Sequence, residues 1–285
     1  MPGSRLRHQE SRRTAITPQS AHASSRQKEP VDLPNNMELL LQQFGEVIQT
    51  PALPWPSAYP QLFVRKLREP IDATPLALAH LWPPAIQRST LVRRYEYLLG
   101  RLAAASLLAQ LGVPTPKCWV GQQDRRPLWP QGIAASISHT DTLLIVFAGS
   151  CTEEIEAIGV DIERASIDEE TSSALHLCFT ANEMQRLHAM ESGLVIGFSA
   201  KEALFKCLSH ESNGYFDFLD VEIIDVDVCA NTLSVRLLTN LSARLQRGMI
   251  LSIAHRMMDE HVWTGALRGP RLNKEEPNPE AFRLA

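Results

Sequence analysis

The chain has 285 residues, 44% of them hydrophobic and 21% charged, a composition that buries a full core as one domain or two small ones. No apolar run approaches the ~20 residues that span a bilayer, and a formal net charge of -4 leaves no whole-protein case for nucleic-acid binding. The five cysteines (Cys118, Cys151, Cys178, Cys207, Cys229) are odd in number, widely spaced and without a CxxC pair. That pattern argues against a zinc cluster or a disulfide framework and makes a reducing cytoplasm the simplest compartment.

Residues 1–36 differ from the rest. They carry a charge of +3 and almost nothing apolar, so disorder is the expectation, and residues 37–285 hold the remaining -7. No apolar segment of the secretory kind follows, and a mitochondrial presequence lacks its apolar helical face. Met37 is read as the natural start, which the intact mass of the native protein would test. From Met37 to Phe44 the apolar spacing predicts a short helix, and four prolines between Pro51 and Pro60 predict an irregular stretch before a strand at Gln61–Leu67.

Ser89 to Leu111 reads as a long helix, with Leu91, Tyr95, Leu98, Leu102 and Ala105 along one face and Gly112 and Pro114 as its stop. Arg94 and Arg101 are seven apart, nearly in line; Arg94 is read as a solvated edge. After Arg125-Arg126-Pro127 come two strands, Ala134–Ser138 and Leu143–Phe147, joined by a turn at Thr140-Asp141, with His139 at the end of the first. Cys151 to Ala157 is an acidic loop expected to join two halves.

Ile158 to Glu163 alternates and reads as a strand, so Asp161 and Glu163 share one face while Val160 and Ile162 take the other. Arg164 to Thr171 is a polar loop. Phe179 to Met184 starts a helix, with Thr180 and Glu183 as a capping box. A further helix over Leu194–Leu208 carries Glu202 and Lys206 four apart on one side. Strands at 219–228, 232–238, 249–255 and 261–267 follow, and a polar tail begins at Gly269. Brought beside the Asp161 strand, the Glu202 helix would make three carboxylates converge next to a lysine. Oxygen ligands of that kind suit magnesium and phosphate chemistry. The plain alternative is an ordinary helix pair, worth roughly 0.2–0.5 kcal/mol, beside the wet face of a strand.

Gly159-Val160-Asp161-Ile162-Glu163 and Phe198-Ser199-Ala200-Lys201-Glu202-Ala203-Leu204-Phe205-Lys206 resemble the two signature motifs of the 4'-phosphopantetheinyl transferases, loosely G-[IV]-D-[IVL]-E and [FW]-[ST]-x-K-E-[AS]-x-x-K. Ala135 to Thr140 is similar to the family's I-S-H-[ST] segment. Arg93 to Arg101 and Arg125 to Pro130 resemble the enterobactin synthase component D-like subgroup. The resemblance is strong from about Leu81 to Phe218.

The resemblance implies an α+β, pseudo-twofold fold of two similar halves, each a helix packed on a small, mostly antiparallel sheet. The halves fall at 37–155 and 156–268, between a disordered basic tail (1–36) and a polar tail (269–285). It implies transfer of the 4'-phosphopantetheine moiety of coenzyme A to a serine of an apo carrier protein (peptidyl, acyl or aryl), in siderophore or other nonribosomal peptide synthesis and also in polyketide or fatty-acid synthesis. Asp161, Glu163 and Glu202 would hold Mg2+, and Glu202 and Lys206 would be catalytic, Glu202 as the base. Arg101, Arg125, Arg126, Ser138, His139, Lys201 and Lys206 would contact coenzyme A. A monomer without nucleic-acid or membrane-spanning partners is expected. The competing readings are a magnesium-dependent phosphodiesterase acting on coenzyme A and a non-catalytic module that binds coenzyme A or a carrier.

Overall fold

The computed structural model describes residues 37–48, 61–66, 69, 82–113, 121–123, 126–152, 154–212 and 216–269, all within one compact unit, Val31–Ala285. The expectations for 1–36, for the prolines between 51 and 60, for Arg125 and for the tail beyond Gly269 lie outside the described residues.

The N-terminal half is built around α3 (Leu91–Gln110), which follows α1 (Met37–Gln42) and the short α2 (Pro84–Gln87). Thr90 caps α3 by accepting from the Arg93 amide. At its other end Gly112 takes a φ of +77°, and the Gly112 and Val113 amides bond back to Ala109 and Leu108. Glycine suits this turn because a left-handed residue closes the last carbonyls without a Cβ penalty. The expected single apolar face understates the burial: from Tyr97 to Leu108 every residue is buried, Arg101 included, whereas Leu91 is exposed.

α3 covers an antiparallel sheet in the order β1 (Gly45–Ile48), β2 (Gln61–Lys66), β6 (Leu143–Ser150), β5 (Ile133–His139). Successive side chains of β6 point to opposite faces. Leu144, Val146 and Ala148 pack under α3, while Leu143, Ile145 and Phe147 face the other half of the molecule. A small hairpin of β3 (Gly121–Gln123) and β4 (Arg126–Leu128), absent from the sequence expectation, carries Arg126.

The C-terminal half is a five-stranded antiparallel sheet in the order β7 (Ala157–Arg164), β11 (His261–Arg268), β10 (Ile250–Met258), β9 (Thr232–Leu237), β8 (Val221–Asp227). It is covered by α6 (Gly193–Leu208), after α4 (Glu169–Leu175) and α5 (Ala181–Leu187). The helix α4 corrects the polar loop expected there: Asp168 caps it by accepting from the Thr171 amide at 2.7 Å, and Glu169 and Glu170 suit the positive end of its dipole.

The halves meet along β5 and β7, each an edge strand of its own sheet. The Val160 amide donates to Ser136 Oγ at 3.0 Å across this seam. Behind it, Ile158, Val160 and Ile162 share a core with Phe63, Phe147 and Trp263, the last two rings stacked 5.9 Å apart. The architecture is α+β in two halves, each pairing a long helix with an antiparallel sheet. Among the described residues no helix is long and apolar enough to cross a membrane.

Candidate active site

The face of β7 opposite the shared core reads Gly159, Asp161, Glu163, and it lies under α6. A Cβ on Gly159 would stand 1.9 Å from the Ala203 carbonyl oxygen and 2.5 Å from the Cys207 amide nitrogen. Only a residue without a side chain lets the helix backbone settle on the strand at this point. That approach brings Lys206, on the last turn of α6, onto Asp161: Lys206 Nζ donates to Asp161 Oδ1 at 2.6 Å and to Ser138 Oγ at 2.9 Å. Ser138 Oγ in turn donates to Asp161 Oδ1 at 2.8 Å, while Asp161 Oδ2 is buried with no hydrogen-bond partner.

Burial pushes the Glu163 carboxyl up to about 7, with the Asp161 charge adding to the shift, Lys206 opposing it and Glu202 adding further. Burial also raises Glu202; Lys206 opposes and Asp161 adds. These carboxylates sense one another, which is the electrostatic sign of a site short of positive charge. Among the described residues, however, no three acidic, histidine or cysteine side chains are grouped to hold a metal ion, so the expected magnesium cage of Asp161, Glu163 and Glu202 is not assembled. The Lys206 ammonium stands against Asp161 instead. The donor set still fits a hard divalent cation: oxygen ligands only, one of them a buried carboxylate oxygen without a donor.

Glu202 and Lys206 open into a cleft of about 830 Å³ between the halves, also lined by Arg93, Glu96, Arg101 and Arg126. On α3 the cleft stripe is Arg93, Glu96, Tyr97 and Gly100, spaced as one helical face. Arg94 falls off that face and lies half buried outside the cleft. Arg101, at the edge of the stripe, folds its guanidinium over the Tyr97 ring, 4.7 Å from the centroid. It is 5% exposed, its Nε has no hydrogen-bond partner, and among the described residues no carboxylate forms an ion pair with it. Burial lowers its pKa, opposed by Tyr97, with Arg93 adding to the fall.

His139 also lines the cleft, with Nε2 3.4 Å from Arg93 Nη1. Ser138 and His139 are both expected to contact coenzyme A. Adjacent residues of a strand point to opposite faces, so Ser138 turns to Asp161 while His139 turns to α3. Arg126 spans the halves by donating from Nη1 to the Ser209 carbonyl at 2.9 Å.

The expected coenzyme contact at Lys201 is corrected. Its side chain is fully buried, Nζ sits 2.8 Å from Glu183 Oε1, and it donates to the carbonyls of Cys178, Phe218 and Val221. Glu183 also accepts from the Thr180 and Ile223 amides. This pair ties α5, α6 and the start of β8 together and faces away from the cleft. Four residues escaped the sequence reading: Arg93, Glu96 and His210 in the cleft, and Lys66 behind it. The helical spacing from Arg93 to Gly100 was a usable signal for two of them.

Residues 83–149 match the 4'-phosphopantetheinyl transferase N-terminal domain, and residues 157–262 match the 4'-phosphopantetheinyl transferase superfamily. The chain is 34% identical over 122 residues to enterobactin synthase component D of Salmonella typhimurium, a match covering 41% of this chain and 49% of that protein. The chain thus spans about half the length of that relative. It is 31% identical over 153 residues to enterobactin synthase component D of Escherichia coli, covering 50% of this chain and 69% of the relative. It is 28% identical over 215 residues to the 4'-phosphopantetheinyl transferase PptT of Mycobacterium tuberculosis, covering 68% of this chain and 90% of the relative.

Proposed function

Because the chain belongs to the 4'-phosphopantetheinyl transferase superfamily, we propose that it transfers the 4'-phosphopantetheine moiety of coenzyme A to a serine of an apo carrier protein, releasing adenosine 3',5'-bisphosphate. The observation that carries this reading is the Asp161–Lys206–Ser138 contact beside Glu202, at a cleft also lined by Arg101, which among the described residues has no carboxylate partner. Coenzyme A lies in the cleft with its phosphates against Arg101, His139 and Arg126, where charge-assisted hydrogen bonds are strongest. Glu202, whose carboxyl is held above its ordinary range, accepts the proton of the carrier serine. The serine oxygen bonds to the phosphorus bearing the pantetheine arm as that phosphorus loses its bond to the bridging oxygen, which leaves with the bisphosphate. Lys206 offsets charge on the phosphate, and positioning does most of the work. Asp161, Glu163 and Glu202 are the residues that would hold Mg2+, which when bound supplies Lewis-acid polarisation of the diphosphate.

The carriers we propose are peptidyl, acyl or aryl domains of siderophore and other nonribosomal peptide synthesis in the cytoplasm. A monomer suffices, because one chain supplies both sides of the cleft. The working division is 37–155 and 156–268 with polar tails outside it. The test is intact mass spectrometry of an apo carrier after incubation with the protein, coenzyme A and magnesium, beside an EDTA control. A magnesium-dependent gain of ~340 Da, one phosphopantetheine, supports transfer. Loss of coenzyme A without carrier modification would move the reading to a phosphodiesterase, and binding without turnover to a non-catalytic module.

A further inference from the structure

Glu96 occupies an unusual place on α3. Behind it, Lys66 of β2, whose side chain is 4% exposed, donates from Nζ to Glu96 Oε1 at 2.7 Å and to the Thr140 carbonyl at 2.9 Å. In front of it stand two cleft residues: Arg93 Nη1 lies 3.6 Å from Glu96 Oε2, and His139 Nδ1 lies 3.7 Å from Glu96 Oε1. One carboxylate therefore faces three groups that carry or can take up positive charge. Burial alone would push it up, yet the Lys66 hydrogen bond and the charges of His139, Lys66 and Arg93 hold it below the ordinary range, so it is ionised.

A buried ammonium needs an anion, and serving Lys66 would be role enough for a structural residue. Two features go beyond that role. Lys66 also fixes the Thr140 carbonyl, the residue after His139, so the same cluster sets where the imidazole stands. And Arg93 and a protonated His139, 3.4 Å apart, would repel each other without an anion beside both. A carboxylate behind Nδ1 favours the imidazolium, and Nε2, 3.4 Å from Arg93 Nη1, sets the two donors side by side for one anion in the cleft.

We propose that Glu96 is a positioning residue for anion binding: anchored by the buried Lys66, it holds Arg93 and His139 toward one phosphate of the bound ligand and lets His139 carry charge there. The inference rests on the reading that the cleft takes coenzyme A. The groups facing His139 are Glu96 and Arg93 on α3, Lys66 on β2 and the Thr140 backbone; burial lowers its pKa, Glu96 opposes, and Lys66 and Arg93 add to the fall. Removing Glu96 therefore moves the pH at which binding is lost downward.

The experiment is calorimetric titration of coenzyme A into the full chain across pH 5.5 to 8.5, for wild type, Glu96→Gln and the double variant Lys66→Met/Glu96→Gln, each with its melting temperature. Glu96→Gln is expected to weaken coenzyme A binding about tenfold at neutral pH, roughly 1.4 kcal/mol, and to shift the pH profile down. The double variant, with no buried ammonium left unpaired, is expected to regain melting temperature but neither affinity nor profile. Recovery of all three in the double variant, or an unchanged profile in Glu96→Gln, would show Glu96 to be only the partner of Lys66. Wild type that binds no coenzyme A at any pH overturns the reading of the cleft and this inference with it. The His139 proton-resonance midpoint without ligand separates the two, since Glu96→Gln should lower it whatever the cleft binds.

Discussion

Gly159 and Ala203 are in backbone contact: a Cβ on the glycine would lie 1.9 Å from the Ala203 carbonyl oxygen. The Lys206 contacts with Asp161 and Ser138 depend on that approach, because Lys206 stands one turn beyond Ala203 and Asp161 two residues beyond Gly159. Gly159→Ala must push α6 off β7. A destabilisation of about 3 kcal/mol or more is expected, at the upper end for an overpacked site, with loss of transfer in whatever folds. Denaturant unfolding reads it, and a melt like wild type would mean that α6 does not sit on the strand as described.

Glu202→Gln keeps shape and removes the proton acceptor, so transfer should fall by about 10²–10⁴-fold with the melting temperature nearly kept. Steady-state kinetics on an apo carrier measures this. A variant with wild-type kcat would take the base away from Glu202 and leave it, at most, a cation ligand.

Lys201→Met breaks a pair whose side chains are both 0% exposed and leaves Glu183 as an uncompensated buried charge. A loss of about 3–5 kcal/mol of stability is expected, while the folded fraction keeps its KM for coenzyme A. A KM rise without destabilisation would return Lys201 to the cleft.

Glu163 gives a pH signature in the protein kept in EDTA. Its folded value of about 7 lies above the ordinary 4.5, so between those values the folded state binds the proton and the unfolded state does not. The stability it contributes is full below about pH 4.5 and is lost as the pH rises through 7. Unfolding free energies across that range should decline for wild type relative to Glu163→Gln, by an amount reduced by the group's partial exposure. Parallel curves for the two proteins would remove the like-charge environment assigned to Glu163.

Much of the candidate site was legible because its residues sit on regular elements with simple periods. Alternation along β7 puts Asp161 and Glu163 on one face, and four-residue spacing on α6 puts Glu202 and Lys206 on one side. The same alternation, applied to Ser138 and His139, would have sent them apart; a shared motif made them look like one unit. Arg93 was legible only as part of the motif from Arg93 to Arg101; the cleft stripe runs through Arg93, Glu96, Tyr97 and Gly100, and Arg101, the arginine the sequence singled out, lies at its edge.

The sequence by itself determined the local periodicities, the capping box at Thr180 and Glu183, and the family motifs of the two halves. Only the tertiary structure decided which charged side chain faces which. Lys201 and Lys206 stand five apart on one helix; one closes a buried ion pair with Glu183 and the other meets Asp161 at the seam. Local sequence is silent on that choice because a charge takes its role from the partners and the burial that distant strands bring to it.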